Sequence, residues 1–259
     1  MTTEAIIDFA HVRKRFGSDV AVEDLTFSVA REELVAIVGV TGCGKSTAFN
    51  LMLGLTAPTD GTVRVEGRDP YSEFGWFRGR IAVVFQDPRL LPWRSVLDNV
   101  CVGMKFAGIP KAEWEPRART WLGRLGLGGR EDAYVHELSG GQRQRVSIAR
   151  AFSVDPDIIL CDESFSALDE VTAAGLREEF IGLVRENGKT GVVITHSISE
   201  ALTVGDRVLV FRAPGHVAEE IAVDGDLTPE EVERHRARIL ARMGPGAQDP
   251  EHRAAEGVA

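Results

Sequence analysis

Gly39-Val40-Thr41-Gly42-Cys43-Gly44-Lys45-Ser46 follows the continuous apolar run Leu34 to Val38 and leads into a helical pattern. It matches G-x-x-x-x-G-K-[ST] between a buried strand and a helix, the context in which that motif holds phosphate. Glycines let successive backbone N–H groups curl around phosphate oxygens, and the helix N-terminus adds partial positive charge. Lys45 is of a length to reach β- and γ-phosphates, and the Ser46 hydroxyl can ligate Mg²⁺. Val40, Thr41, Cys43 and Thr47 complete the candidate cradle. A plain glycine-rich turn does not call for lysine and serine in this register. The dinucleotide fingerprint G-x-G-x-x-G is not what stands here.

Working outward, short β-branched runs alternate with longer helical patterns, which predicts an α/β fold with a parallel sheet. Leu25 to Val29 alternates apolar and polar residues, as a half-buried strand does. Thr62 to Val65, after an Asp60-Gly61 turn, reads as a strand, as do Ile81 to Phe85, Ile158 to Cys161, Gly191 to Thr195 and Val208 to Phe211. Leu176, Phe180, Leu183 and Val184 share one face of a helix that ends at Asn187-Gly188. Pro110 to Gly126 has no strand pattern and reads as a helical insertion before the helix that follows Ser139. Thr228-Pro229-Glu230-Glu231 is a capping box with proline at the first helical position, so a charged helix to about Met243 is expected. From Gly244 on, the composition predicts disorder.

The 259 residues are 44% hydrophobic and 27% charged, which excludes collagen-like and low-complexity classes. A net charge of −9 argues against binding nucleic acid over a broad surface. Three scattered cysteines, Cys43, Cys101 and Cys161, make neither a disulfide framework nor a CxxC zinc site, and suit a reducing compartment. Met1 to Ala10 lacks the basic and long apolar regions of a signal peptide, and no apolar run approaches a membrane span.

Two further segments carry chemistry. Ile158-Ile159-Leu160-Cys161-Asp162-Glu163 is an apolar strand ending in two acids, at the kind of strand end where ligands bind in parallel sheets. Asp162 is the candidate metal carboxylate, and Glu163 the candidate acceptor for a proton from attacking water. Leu138-Ser139-Gly140-Gly141-Gln142-Arg143-Gln144 has capping-box spacing between Ser139 and Gln142, so it starts a helix with exposed N–H groups. Gly140 and Gly141 leave room for an anion to approach.

Together these residues resemble the ATP-binding-cassette (ABC) transporter ATPases over roughly residues 6–211. The family signature LSGGQ stands intact at Leu138 to Gln142. The resemblance implies a P-loop NTPase core with a mixed sheet, an antiparallel β subdomain and a helical signature subdomain. It also implies that Phe16 stacks on adenine, that Gln86 meets Mg²⁺ or the attacking water, and that His196 contacts the γ-phosphate. Ser166-Ala167-Leu168-Asp169 resembles the D-loop, which places Asp169 at the nucleotide. Two positions depart from the pattern: Ser164 stands where proline is commoner, and Ser197 where aspartate is commoner. In the family the signature of one subunit faces the phosphate loop of another, so Ser139, Gly140, Gly141 and Gln142 would serve a second chain's ATP. A head-to-tail homodimer burying two ATP molecules is expected.

Gln86-Asp87-Pro88-Arg89-Leu90-Leu91-Pro92-Trp93-Arg94-Ser95-Val96-Leu97-Asp98-Asn99-Val100 resembles the nitrate, sulfonate and taurine importer ATPases. Its prolines hold the chain outside a helix, and Leu90, Leu91 and Trp93 can form an apolar patch for a partner. The resemblance implies a peripheral subunit on the cytoplasmic face of the inner (cell) membrane. Its partners would be transmembrane permease subunits and, indirectly, a periplasmic or extracellular solute-binding protein; ATP and Mg²⁺ are the cofactors, and no nucleic acid is involved. The expected organisation is an ABC ATPase domain over 1–225, with the helical subdomain at about 87–153 inside it. A C-terminal helix and tail over 226–259 would follow, with no sugar-importer regulatory domain. The alternatives are a soluble ABC-type ATPase in translation or repair, and a phosphate-loop kinase. The first would show fused cassettes or long coiled coils, and the second has no use for LSGGQ.

Overall fold

Phe9 stacks on Phe27 with ring centroids 4.6 Å apart, and this pair marks the centre of a three-stranded antiparallel sheet. Its strands are β1 (Ala5–Phe16), β2 (Asp19–Ala30) and β4 (Asp60–Val65), in the order β2-β1-β4. The structure, a computed structural model, describes residues 5–223, 225 and 227–244. The tail expected to be disordered lies outside the described residues, apart from Gly244. The described chain divides into two units, the first made of residues up to Phe74 and from Val192 on, the second of Gly75–Gly191.

In the first unit β3 (Leu34–Val38) is buried at every residue. It pairs in parallel with β8 (Arg207–Arg212), from Val35 beside Arg207 to Val38 beside Val210. β8 pairs antiparallel with β9 (His216–Ala222), which makes this sheet mixed. α1 (Lys45–Met52) follows β3 through the phosphate loop. α6 (Ile198–Val204) and α7 (Pro229–Met243) share a core with these strands, built around Ala36, Val208, Ala201, Ile239 and Met243. The α7 start is the expected one: Thr228 and Glu231 form the capping box and Pro229 opens the helix. Arg238 and Arg242 both pair with Glu219 on β9, so α7 is held by charge as well as by apolar contact.

In the second unit β5 (Ile81–Phe85) pairs in parallel with β6 (Ile158–Asp162), Phe85 lying beside Asp162. The helices are α2 (Val96–Ala107), α3 (Lys111–Arg124), α4 (Gly140–Phe152) and α5 (Glu170–Glu186). Phe152 at the end of α4 touches both Trp121 of α3 and Phe180 of α5. Burying a side chain such as Phe180 completely is worth about 1.5–3 kcal/mol. The boundary between the units falls within β7 (Thr190–Thr195), whose six residues are all buried.

The expected strands are all present, and two more appear. β1 escaped the reading because its alternation breaks where the register shifts between Phe9 and Val12, with His11 at φ 49°. β9 buries only Ile221 and so offers no apolar run. The end of the Gln86–Val100 stretch is helical: Ser95 caps α2 by accepting from the Asp98 N–H.

Candidate nucleotide site

The phosphate loop belongs to the first unit. Gly44, at φ 102°, is the N-cap of α1, and the left-handed turn it makes is one that L side chains rarely adopt. A Cβ at Gly44 would also lie 2.9 Å from the Ala21 carbonyl, and one at Gly39 would lie 2.6 Å from both Cys43 Sγ and the Phe211 carbonyl. At two of the loop's glycines, Gly39 and Gly44, a side chain would therefore clash. The Lys45 side chain lies back across it, donating from Nζ to the Gly39 and Val40 carbonyls. Cys43 is buried beneath. Burial pushes its thiol pKa up and the nearby Lys45 charge pulls it partly back, so the thiol stays neutral. Thr41, Gly42 and Ser46 are exposed, Val40 and Thr47 half-buried.

Phe16 ends β1 where the chain turns through Gly17 into β2. Its ring is 54% exposed, with Lys14 Nζ 4.8 Å from the centroid. That is a flat aromatic face presented to solvent beside a cation. His196 is half-buried just after β7. Its neighbours are fixed: Ser197 caps α6 by accepting from the Glu200 N–H, and the Thr195 hydroxyl donates to the Glu200 carboxylate at 2.6 Å. Serine and aspartate are both good N-caps, which gives Ser197 a local reason to stand where aspartate is commoner.

The second unit holds the other candidates. Asp162 and Glu163 are half-buried at the end of β6 and just past it, and Glu163 sits at φ 47°. Ser164 is buried, and its hydroxyl donates to the Val84 carbonyl of β5 at 2.7 Å. Here serine fixes the turn by a hydrogen bond that proline could not make. Gln86 is exposed just after β5, and its amide donates to Ser166 Oγ at 3.1 Å. Asp169 caps α5 by accepting from the Thr172 N–H, and that bond holds its carboxyl below the usual carboxylate range.

Ser139 and Gln142 form the expected capping box at the start of α4: Ser139 N–H donates to Gln142 Oε1 at 3.0 Å, and Gln142 N–H to Ser139 Oγ at 3.3 Å. Gly141 has a packing reason as well, since a Cβ there would lie 2.7 Å from Thr172 Cγ2 of α5. Within this unit the structure brings Gln86, Ser166 and the Glu163 carbonyl together in one hydrogen-bonded chain.

Three supporting residues escaped the sequence reading. Gln144 is buried on α4 and donates to the Phe85 carbonyl at 3.0 Å, next to Gln86. Arg150, also on α4, donates to the Pro88 and Arg89 carbonyls. Asn99 is fully buried on α2, accepting from the Leu91 N–H and donating to the carbonyls of Leu91, Arg94 and Ser95. It pins the turn that leaves Trp93 71% exposed and Leu90 and Leu91 half-buried. The available signal was a polar residue in register with a buried helix face, as Gln144 is with Ile148 and Ala151.

The donor chemistry suits a magnesium nucleotide. The loop is a tight turn of N–H groups at a helix start, and Ser46 offers a hard oxygen ligand of the kind Mg²⁺ takes together with phosphates.

A family model described as ABC transporter matches residues 22–166. The chain is 40% identical over 225 residues to an uncharacterized ABC transporter ATP-binding protein of Methanocaldococcus jannaschii, covering 85% of this chain and 83% of that one. It is 42% identical over 212 residues to the taurine import ATP-binding protein TauB of Rhizobium johnstonii, covering 81% and 79%. Among solved structures, a dimeric post-hydrolysis state of an ATP-binding cassette bound to ADP and Pi is 32% identical. It superposes with a TM-score of 0.72, covering 85% of this chain and all of that one.

Proposed function

Because the chain belongs to the ABC transporter family and is an ATPase of that family, we propose that it powers an importer for a small anion or organic solute such as nitrate, a sulfonate or taurine. One observation carries the ATPase reading: the phosphate loop Gly39–Ser46, with Lys45 laid across it, occurs in a chain that also holds the intact signature Leu138–Gln142. The importer reading rests on the likeness to a taurine import protein and on the pinned, outward-facing Trp93 turn.

Loop N–H groups from Gly39 to Thr47, with Lys45, hold the β- and γ-phosphates, and Phe16 stacks on adenine. Glu163 takes a proton from the water that attacks the γ-phosphorus; the bond to the bridging oxygen breaks, and ADP and phosphate leave. Gln86 orients that water and His196 donates to the γ-phosphate. Ser46, Asp162 and Gln86 would hold Mg²⁺, which would supply neutralising charge to the phosphates. Ser139, Gly140, Gly141, Gln142 and Asp169 serve the ATP of a second copy, so each site needs two chains. ATP binds the closed pair better than the open one, and that difference is what moves the permease.

In this reading residues 1–225 form the ATPase domain, with 87–153 as its signature subdomain and 226–259 as an appended segment. The subunit sits peripherally on the cytoplasmic face of the inner (cell) membrane. Co-expression with a candidate permease tests the importer reading. Co-purification and solute uptake dependent on Lys45 support it, whereas an ATPase that binds no membrane subunit contradicts it.

A further inference from the structure

Glu163 occupies the left-handed region of backbone space, where a non-glycine residue persists only if its surroundings hold it. Ser166 is one group that holds it. Both its backbone N–H, at 3.2 Å, and its hydroxyl, at 2.9 Å, donate to the Glu163 carbonyl. A serine hydroxyl has one proton. With that proton given to Glu163, Oγ can only accept, so it takes the Nε2 end of the Gln86 amide, at 3.1 Å, and not the oxygen end. The Gln86 oxygen is thereby the end turned away from Ser166. The backbone before Gln86 is fixed as well, since Ser164 holds the Val84 carbonyl and Gln144 the Phe85 carbonyl.

Resting on the reading of Glu163 as base and Gln86 as the water-orienting amide, we propose that Ser166 is a positioning residue. Its hydroxyl sets which end of the Gln86 amide faces the reaction and keeps that amide in register with the Glu163 backbone. An alanine there leaves the amide free to turn over, while a threonine keeps both hydrogen bonds.

Steady-state hydrolysis by the full chain tests this. Ser166→Ala lowers kcat roughly three- to tenfold, about the worth of one neutral hydrogen bond, with the KM for ATP unchanged. Ser166→Thr restores the rate. In a Gln86→Ala background the Ser166→Ala change costs less than it does alone, because part of its effect runs through the amide. A Ser166→Ala protein with wild-type kcat overturns the proposal, as does a loss that multiplies in full onto that of Gln86→Ala. Glu163→Gln, measured alongside, separates the two levels. Wild-type hydrolysis by Glu163→Gln removes the base reading itself. An inactive Glu163→Gln with an unaffected Ser166→Ala removes only the role of Ser166.

Discussion

Lys45 spends its ammonium on the carbonyls of Gly39 and Val40, at the mouth of a loop too narrow for any Cβ at Gly39 or Gly44. In the proposed reaction this cation meets the charge that develops on the transferring phosphoryl group. Lys45→Ala should therefore lower hydrolysis by roughly 10²–10³-fold, the usual cost of removing one group that stabilises a transition state. Nucleotide affinity should also weaken, and phosphate release with nucleotide titration checks both. Ser164→Ala tests a different link. It deletes a buried donor to the Val84 carbonyl and should cost about 1–3 kcal/mol in urea denaturation. The residues behind these two predictions were unequally legible. The Ser139–Gln142 box spans three positions and could be read from spacing alone. Ser164 meets a partner 80 positions away and Gln144 one 59 positions away, and no local pattern encodes such pairs.

α2 shows how one helix serves a surface. Its buried Asn99 gathers the backbone of Leu91, Arg94 and Ser95, while Ser95 caps the helix itself. The result is a rigid turn with Trp93 outward. Trp93→Ala should leave ATP binding intact and weaken assembly with the permease, read by pull-down of the membrane subunit. Asn99→Ala should weaken assembly too, but with a loss of about 1–3 kcal/mol in stability that Trp93→Ala does not share. α5 adds a pH dependence. The Thr172 N–H depresses the Asp169 pKa, so the cap contributes fully above the usual carboxylate range and is lost as pH falls through the lower folded value. In Asp169→Asn that acid-side loss should disappear from the melting curve. Elements were legible in proportion to the regularity of their pattern. β3 and β5 were read to the residue because they are short and apolar; β1 was missed because a bulge at His11 breaks its period.

At the scale of the whole chain, the groups for hydrolysis and the signature occur once each, and the net charge of −9 opposes self-association. The account therefore predicts a monomer without nucleotide and a dimer only when ATP joins two copies. Glu163→Gln isolates this claim. The variant keeps Lys45, Ser46 and Asp162, so it should bind Mg²⁺-ATP, yet hydrolysis should slow by roughly 10²–10⁴-fold for want of a base. Closure needs binding and reopening needs hydrolysis, so the variant should accumulate closed. Light scattering on gel-filtered Glu163→Gln is the direct measurement. The expected result is a monomer without nucleotide that becomes a dimer with Mg²⁺-ATP and does not decay. A protein that stays monomeric with saturating Mg²⁺-ATP, or that hydrolyses it at the wild-type rate, would contradict the account.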